Sequence, residues 1–281
     1  MLRTVLLPTD FTDDAELMLA FARGLTALGT KVVVLSHVVE TSGMEGPIIA
    51  ARVDEVRGRL QAHAEVLRSL GLGVEIRVPT GDPFESIVAL ATEVGVDAVV
   101  VGSHAKGLVT QLVAGSVSER LVRDAPVPML LTRFDLLRNQ KDPAVLLKRF
   151  GEKILVPTDF SLSASRAYTA ALSLPRQIIG TLYLLHVIDA GLTGDKLRRT
   201  EEGAEFHLRN LQAMAAQEGI ATSVVIRRGE PQRAVLEELD ERRATGVIVG
   251  TRGRNAIQEV LMGSVSMTLL KQASCPVMIV P

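Results

Sequence analysis

Short apolar runs alternate along the chain with longer segments of helical period. The runs VVVLSHVV at 32–39 and DAVVVGS at 97–103 are rich in β-branched residues and show no polar alternation, which is typical of strands covered on both faces. The segments 51–71 and 201–219 instead repeat apolar residues at helical spacing. This alternation of strand and helix predicts parallel sheets with right-handed crossovers.

The pattern occurs twice. The segment VLLPTDF at 5–11 recurs as ILVPTDF at 154–160, and His37 recurs as His186, in each case 149 positions later. A repeat of this length has the size of a small domain, so it indicates duplication of a whole domain. We expect a first domain at 1–133, a connector at 134–151 that contains a docked short helix, and a second domain at 152–281.

Each copy is expected to contain five strands and four helices. The first helix of the second copy should end before Pro175, because proline cannot continue a helix ladder. The expected strands lie near 2–8, 31–38, 73–78, 97–102 and 127–132, and near 153–157, 181–187, 221–226, 246–250 and 276–280.

Composition excludes several classes of protein. Lysine and arginine total 31 against 32 acidic residues, so the net charge of −1 gives no general attraction to nucleic acid or anionic membranes. The single cysteine, Cys275, cannot form an intrachain disulfide, which favours a reducing compartment.

No stretch approaches the roughly 18 apolar residues of a membrane helix, and the N-terminal apolar run is too short for a signal peptide. We therefore expect a cytoplasmic protein.

The loop after the fourth strand carries spaced glycines. In the second copy, Gly250, Gly253, Gly263 and Ser264 form the pattern G-x2-G-x9-G-S. Glycine lets a backbone approach a phosphate closely, and a predicted helix that opens at Ser264 would favour an anion. Spaced glycines alone would equally fit turns and a helix cap, but their recurrence in both copies favours phosphate binding.

The first copy matches this pattern less completely. Gly102, Gly115 and Ser116 correspond to glycines and serine of the second loop, but Ala105 stands where the second copy has Gly253. Alanine at a position that needs a left-handed backbone costs about 1 kcal/mol. The first copy is therefore the weaker candidate.

Basic residues accompany both loops. His104 and Lys106 in the first copy align with Arg252 and Arg254 in the second. Such side chains either neutralise phosphate or belong to a solvated charged loop, and the pattern leaves both interpretations open.

An aspartate follows the first strand of each copy. Asp10 and Asp159 could accept hydrogen bonds from ribose hydroxyls at the carboxyl end of a strand, or could cap the next helix. Thr12 and Ser161 are better placed as caps, which favours the ribose role. With strand order 3-2-1-4-5, each aspartate would face the glycine loop across the crevice between the first and fourth strands. His37 and His186 are interpreted as structural.

The PTDF segments, the segments HVVE and HVID after the second strands, and the glycine pattern resemble the universal stress protein family over nearly all of both copies. The resemblance implies two doubly wound five-stranded parallel sheets of order 3-2-1-4-5, flanked by helices and similar to adenine nucleotide alpha hydrolases. It also implies that ATP, ADP or AMP, with or without Mg²⁺, binds in the crevice.

The same resemblance implies a role for each motif residue. Asp159 would meet the ribose, Val187 would present backbone groups to the adenine, and the loop glycines and Ser264 would hold the phosphates. The matching residues of the first copy are Asp10, Val38, Gly102, Gly115 and Ser116. Pairing through the last strand of each copy is also implied, as an intrachain pseudo-dimer, and a homodimer stays open beside it.

Three functions fit these observations. The first is an ATP-binding stress-response regulator that binds nucleotide chiefly in the C-terminal domain and is read by an unidentified protein partner. The others are a slow ATPase or autophosphorylating protein, and an interaction scaffold that binds no nucleotide. The sequence contains no G-x-x-x-x-G-K-[ST], G-x-S-x-G or H-E-x-x-H motif, so binding is better supported than turnover and no residue is assigned as catalytic.

Overall fold

The computed structural model describes residues 2–103, 117–124, 126–251 and 262–281. The chain divides into two compact units, an N-terminal unit at Met1–Lys148 and a C-terminal unit at Arg149–Pro281. Each unit contains a five-stranded sheet in which neighbouring strands are parallel. The α/β class predicted from the alternating apolar runs is confirmed.

The N-terminal unit has the strand order β3-β2-β1-β4-β5. Its strands are β1 (Thr4–Pro8), β2 (Val32–Ser36), β3 (Gly73–Arg77), β4 (Ala98–Ser103) and β5 (Met129–Arg133). Its described helices are α1 (Asp13–Ala22), α2 (Gly46–Arg68), α3 (Pro83–Val94), α4 (Val117–Asp124), α5 (Phe134–Arg138) and α6 (Val145–Lys148).

The C-terminal unit has the corresponding order β8-β7-β6-β9-β10. Its strands are β6 (Lys153–Pro157), β7 (Thr181–Ile188), β8 (Ala221–Arg228), β9 (Gly246–Gly250) and β10 (Val277–Val280). Its described helices are α7 (Leu162–Leu172), α8 (Gly194–Gln217), α9 (Pro231–Arg242) and α10 (Ser264–Gln272).

The apolar runs form the central strands, and helices cover both faces of each sheet. Val5 and Leu6 in β1 are completely buried, as are Ile154 and Leu155 in β6. Helix boundaries follow local chemistry: α3 begins at Pro83 behind Asp82, whose carboxylate accepts the Glu85 N–H at 2.9 Å. Helix α7 ends before Pro175, as predicted. Among the described residues, no helix is long and apolar enough to cross a bilayer.

The segment after β5 is packed onto the N-terminal unit. Leu137 and Leu147 are fully buried. A Cβ placed on Gly24 would lie 2.5 Å from the Ala144 carbonyl oxygen, so the chain passes directly over this glycine. Helices α5 and α6 therefore complete the core of this unit.

One helix of the C-terminal unit buries a charged side chain. The Glu238 side chain in α9 is fully shielded from solvent and pairs with Arg227 of β8 and with Arg242, the latter at 3.0 Å. The hydrogen bond to Glu238 raises the pKa of Arg227, and Glu241 adds to this effect. The N-terminal unit has a buried leucine, Leu90, at the corresponding position of α3. The same fold therefore accepts either a buried ionic network or an apolar contact at this place.

We expect the double variant Arg227→Leu/Arg242→Leu to lower the free energy of unfolding by about 3 kcal/mol, because the buried carboxylate loses both partners. Adding Glu238→Leu should restore most of the loss, since a leucine already packs at this position in the N-terminal unit. Urea unfolding followed by circular dichroism measures both changes. A double variant as stable as the parent would show that the network contributes nothing.

Candidate functional site

The predicted site residues lie at the carboxyl edge of each sheet. In the N-terminal unit β1 pairs with β2 on one side and with β4 on the other, so the turn after β1 lies between the ends of its neighbours. In the C-terminal unit β6 is placed in the same way between β7 and β9. Winding reverses between β1 and β4 and between β6 and β9, which is where ligands bind in such folds.

The two aspartates are held in similar turns. Asp10 Oδ1 accepts the Thr12 N–H at 3.1 Å and the Thr12 hydroxyl at 2.7 Å, and Asp159 Oδ1 accepts the Ser161 N–H at 3.0 Å. Ser161 also caps α7 by accepting the Ala164 N–H at 3.3 Å, as predicted. Thr12 stands at the N-cap position of α1, as predicted, but its side chain makes no capping hydrogen bond there, and its hydroxyl donates to Asp10. Each carboxylate is therefore fixed at the edge of its crevice.

The residue after each aspartate has an unusual backbone. Phe11 has φ 60° and Phe160 has φ 62°, in the left-handed region that side chains other than glycine rarely adopt. This conformation costs roughly 1–2 kcal/mol. Each ring lies against a histidine, with centroids 4.7 Å apart for Phe11 and His37 and 4.5 Å apart for Phe160 and His186. Ring contacts of this kind contribute enough to offset much of the strain.

The same histidines are bonded to the turns. His37 Nδ1 lies 2.8 Å from the Thr9 carbonyl oxygen, and His186 Nδ1 lies 2.8 Å from the Thr158 carbonyl oxygen. A carbonyl oxygen only accepts, so Nδ1 carries the hydrogen in both rings. This geometry agrees with the structural role expected for both histidines.

The surroundings of the two phenylalanines differ. The Arg59 guanidinium lies 3.9 Å from the centroid of the Phe11 ring, and His63, one helical turn later, lies 5.8 Å from it. In the C-terminal unit His207 of α8 takes the place of His63, but the residue one turn before it is Gly203. Position 203 therefore offers no side chain that could stack on Phe160 as Arg59 stacks on Phe11.

Backbone alternation directs Val38 toward its crevice. The Ser36 carbonyl accepts the Thr9 N–H at 2.8 Å, on the side of β1, whereas the His37 and Val39 N–H groups donate toward the segment that continues β3. Successive residues of a strand between two parallel neighbours bond alternately to either side. Val38 therefore presents its N–H and C=O on the β1 side, beyond the point where β1 has ended.

Val187 is directed in the same way. The Leu185 carbonyl accepts the Thr158 N–H at 2.8 Å, and the Ile188 carbonyl accepts the Gly229 N–H at 2.9 Å on the other side. By the same alternation, the N–H and C=O of Val187 lie on the β6 side. A donor and an acceptor on one backbone residue match the edge of an aromatic base.

The glycines at the ends of β4 and β9 are required by packing. A Cβ on Gly250 would lie 2.7 Å from the backbone carbon of Ser163 in α7. A Cβ on Gly102 would lie 2.5 Å from the Phe134 ring and 3.0 Å from Met18 Sδ. Helix α7 thus lies directly on its strand, whereas Gly102 of β4 is covered by the Phe134 ring together with Met18 of α1. This packing is a reason for glycine at these positions that does not involve phosphate.

Helix α5 holds the Phe134 ring in place. Phe134 is its first residue, and Arg138 on the same helix forms an ion pair with Asp14 of α1. Arg133, just before the helix, pairs with Asp135, and this hydrogen bond lowers the pKa of the Asp135 carboxyl. The crevice of the N-terminal unit is therefore bordered by the Phe134 ring and the short helix that begins with it.

The glycine loop of the C-terminal unit is closed at its base. The Gly263 N–H donates to the Thr251 carbonyl at 2.7 Å, and the Thr251 N–H donates to the Val280 carbonyl at 2.9 Å. Gly263 precedes α10, and Ser264 is its first residue and exposed. The Gly263 N–H is thus already used, but the N–H groups in the first turn of α10 have no partners within the helix and can receive an anion.

Several predicted residues lie outside the described ranges. They are His104, Ala105, Lys106, Gly115, Ser116, Arg252, Gly253 and Arg254.

The sequence interpretation missed the role of three aromatic residues. Phe11 and Phe160 belong to the repeated PTDF segment, so their recurrence was the signal that could have marked them. Phe134 lies outside the repeated motifs, and no sequence pattern pointed to its position over Gly102.

The described part of the C-terminal site fits an adenine nucleotide. A fixed carboxylate at Asp159 suits ribose hydroxyls, the Val187 backbone suits a base edge, and the start of α10 suits a phosphate. No group of three or more histidine, cysteine or acidic side chains within the described ranges could hold a metal ion.

We expect Gly102→Ala to destabilise the N-terminal unit by about 1–3 kcal/mol, because the added methyl group overlaps the Phe134 ring. Adding Phe134→Leu should recover part of the loss by making room, whereas Phe134→Leu has no such effect on Gly250→Ala. Thermal unfolding of the single and double variants measures the coupling. Additive effects of Gly102→Ala and Phe134→Leu would contradict this packing.

Comparison with known proteins agrees with the duplication and the fold. The model of the Universal stress protein family matches residues 1–133 and 151–281. Universal stress protein YxiE of Bacillus subtilis is 30% identical over 145 residues, which is 46% of this chain and 97% of the relative. Universal stress protein MJ0577 of Methanocaldococcus jannaschii is 25% identical over 155 residues, covering 47% of this chain and 96% of the relative.

A solved structure extends the likeness to the full length. The crystal structure of a universal stress protein from Archaeoglobus fulgidus has a TM-score of 0.76 and 24% identity, and the match covers 99% of this chain and 97% of that one. This likeness shows a shared fold. Since the family model matches both halves of the sequence, the chain belongs to the universal stress protein family, as a tandem member with two copies of the domain.

Proposed function

We propose that the protein is a stress-response regulator that binds adenine nucleotide, ATP in the first place, chiefly in its C-terminal unit. The proposal is carried by two neighbouring groups. Asp159, in the turn after β6, has a fixed carboxylate, and Val187, in the adjacent strand β7, has a backbone donor and acceptor directed to the β6 side. Family membership supports the same ligand class. Occupancy would then change the surface that a protein partner reads, in the cytoplasm.

Two differences favour the C-terminal unit. Its loop has Gly253 where the N-terminal loop has Ala105, and a bare backbone there permits closer approach to phosphate. In addition, Ser163 of α7 lies against Gly250, whereas the Phe134 ring lies against Gly102 together with Met18 of α1. The end of the fourth strand is therefore packed against different side chains in the two units.

Two other functions remain testable alternatives. Slow hydrolysis or autophosphorylation would draw on the hydroxyls of Thr251 and Ser264 at the ends of the loop. The buried thiol of Cys275 is unsuited as a nucleophile, because burial raises its pKa to about 12. Incubation with ATP followed by product analysis detects turnover, and mass spectrometry of ligand released from the purified protein distinguishes a binding protein from a scaffold without nucleotide.

We expect Gly253→Ala to weaken ATP binding about tenfold, because the methyl group hinders approach of the phosphates. Ala105→Gly is the matched control: it changes the same position of the other loop and should leave the C-terminal site unaffected. Isothermal titration calorimetry of both variants and the parent gives affinity and stoichiometry. An unchanged affinity in Gly253→Ala would remove the loop from the proposal.

The basic residues of the loop give a second expectation. If Arg252 and Arg254 neutralise phosphate, replacing either with alanine should weaken ATP by about five- to tenfold and leave adenosine nearly unchanged, because adenosine carries no phosphate. Competition binding with both ligands measures the ratio. Equal losses for ATP and adenosine would indicate a folding effect in place of phosphate contact.

A further inference from the structure

The turn after the first strand of each unit is braced by three residues that we call the aromatic clamp. In the C-terminal unit the clamp is Thr158, Phe160 and His186. We propose that this clamp is the positioning element of the nucleotide site: it fixes the distance between the carboxylate of Asp159 and the backbone of Val187. The inference rests on the proposed function, because it assigns these two residues to ribose and adenine.

The clamp holds the turn through three contacts. The Phe160 ring stacks on the His186 ring with planes inclined by 26°, and His186 Nδ1 donates to the Thr158 carbonyl at 2.8 Å. The Thr158 hydroxyl in turn accepts the Phe160 N–H at 3.0 Å. A left-handed phenylalanine persists only when its surroundings determine it, and these contacts do so.

The left-handed residue sets the position of the carboxylate. Phe160 lies between Asp159 and Ser161, and its backbone turns the Ser161 N–H toward Asp159 Oδ1 at 3.0 Å. Relaxation of Phe160 to an ordinary backbone conformation would reorient the peptide on either side of it. The Asp159 carboxylate would then lose the hydrogen bond from the Ser161 N–H.

The histidine connects this turn to the neighbouring strand. His186 belongs to β7 and directly precedes Val187, so its bond to Thr158 ties the end of β7 to the turn after β6. The two recognition elements are thereby joined through one side chain. The clamp is therefore expected to select for a base and a sugar at a set separation.

The N-terminal unit repeats the clamp and supplies a matched control. Thr9 accepts the Phe11 N–H through its hydroxyl at 3.3 Å, and its carbonyl accepts from His37 at 2.8 Å. His37→Leu removes the same contacts as His186→Leu, but in the unit to which nucleotide binding is not chiefly assigned.

The test compares ATP with 2′,3′-dideoxy-ATP, which lacks the hydroxyls that Asp159 would bind. His186→Leu should weaken ATP about tenfold and leave the dideoxy ligand nearly unchanged, because the lost interaction is the one with the ribose. His186→Phe, which keeps a stacking ring and removes only the bond to Thr158, should show the same discrimination with a smaller loss. His37→Leu should leave the affinity of the C-terminal site for both ligands unchanged, because its contacts lie in the other unit. Equal losses for both ligands would overturn the positioning role.

A second measurement needs no nucleotide. Hydrogen exchange of the Ser161 amide should be faster in His186→Leu, and that of the Thr12 amide faster in His37→Leu, because each donates to the aspartate that the clamp positions. Unchanged exchange at Ser161 would refute the clamp itself. A parent protein that binds no ATP but shows the expected exchange would refute the proposed function while the clamp stands.

Discussion

The structure of each crevice depends on a phenylalanine forced into a left-handed backbone. Phe11 and Phe160 reverse the chain between the first strand and the first helix, and the aspartate before each of them is held at the crevice by that reversal. An unsupported side chain would not stay in this conformation. The stacked histidine and the threonine to which it is bonded supply this support. Together they connect the first strand, the turn after it and the end of the second strand in each unit.

The two units share this turn and differ in what surrounds it. At one position of the third helix the C-terminal unit buries Glu238 among arginines, and the N-terminal unit buries Leu90. At the end of the fourth strand one unit places Ser163 over a glycine, and the other places Phe134 there. The two copies therefore share the crevice edge, while the packing behind it differs.

The sequence predicts most of the fold because several strands are short apolar runs without polar alternation and because the repeat is easily recognised. The place of Asp10 and Asp159 after the first strand follows from the repeated pattern, whereas Val38 and Val187 were expected from the family resemblance. In the structure, backbone alternation directs the N–H and C=O of both valines toward the first strand of their unit. Competition between nearby hydrogen-bond partners is harder to predict. Thr12 has the residue type and position of a helix cap, but its hydroxyl donates to Asp10 and makes no capping bond. The reason for Gly102 was also hidden, because it depends on a contact with Phe134 that only the folded chain reveals.

The docked segment after β5 bears on where the N-terminal domain ends. The family match stops at residue 133, one residue before Phe134, whereas the compact unit continues to Lys148. A fragment cut at the family boundary would lack the aromatic ring over Gly102 and the buried leucines of α5 and α6, and would expose the groove that they fill. The segment that connects the two copies is therefore packed into the core of the first unit. The domain that the family model matches is shorter than this compact unit.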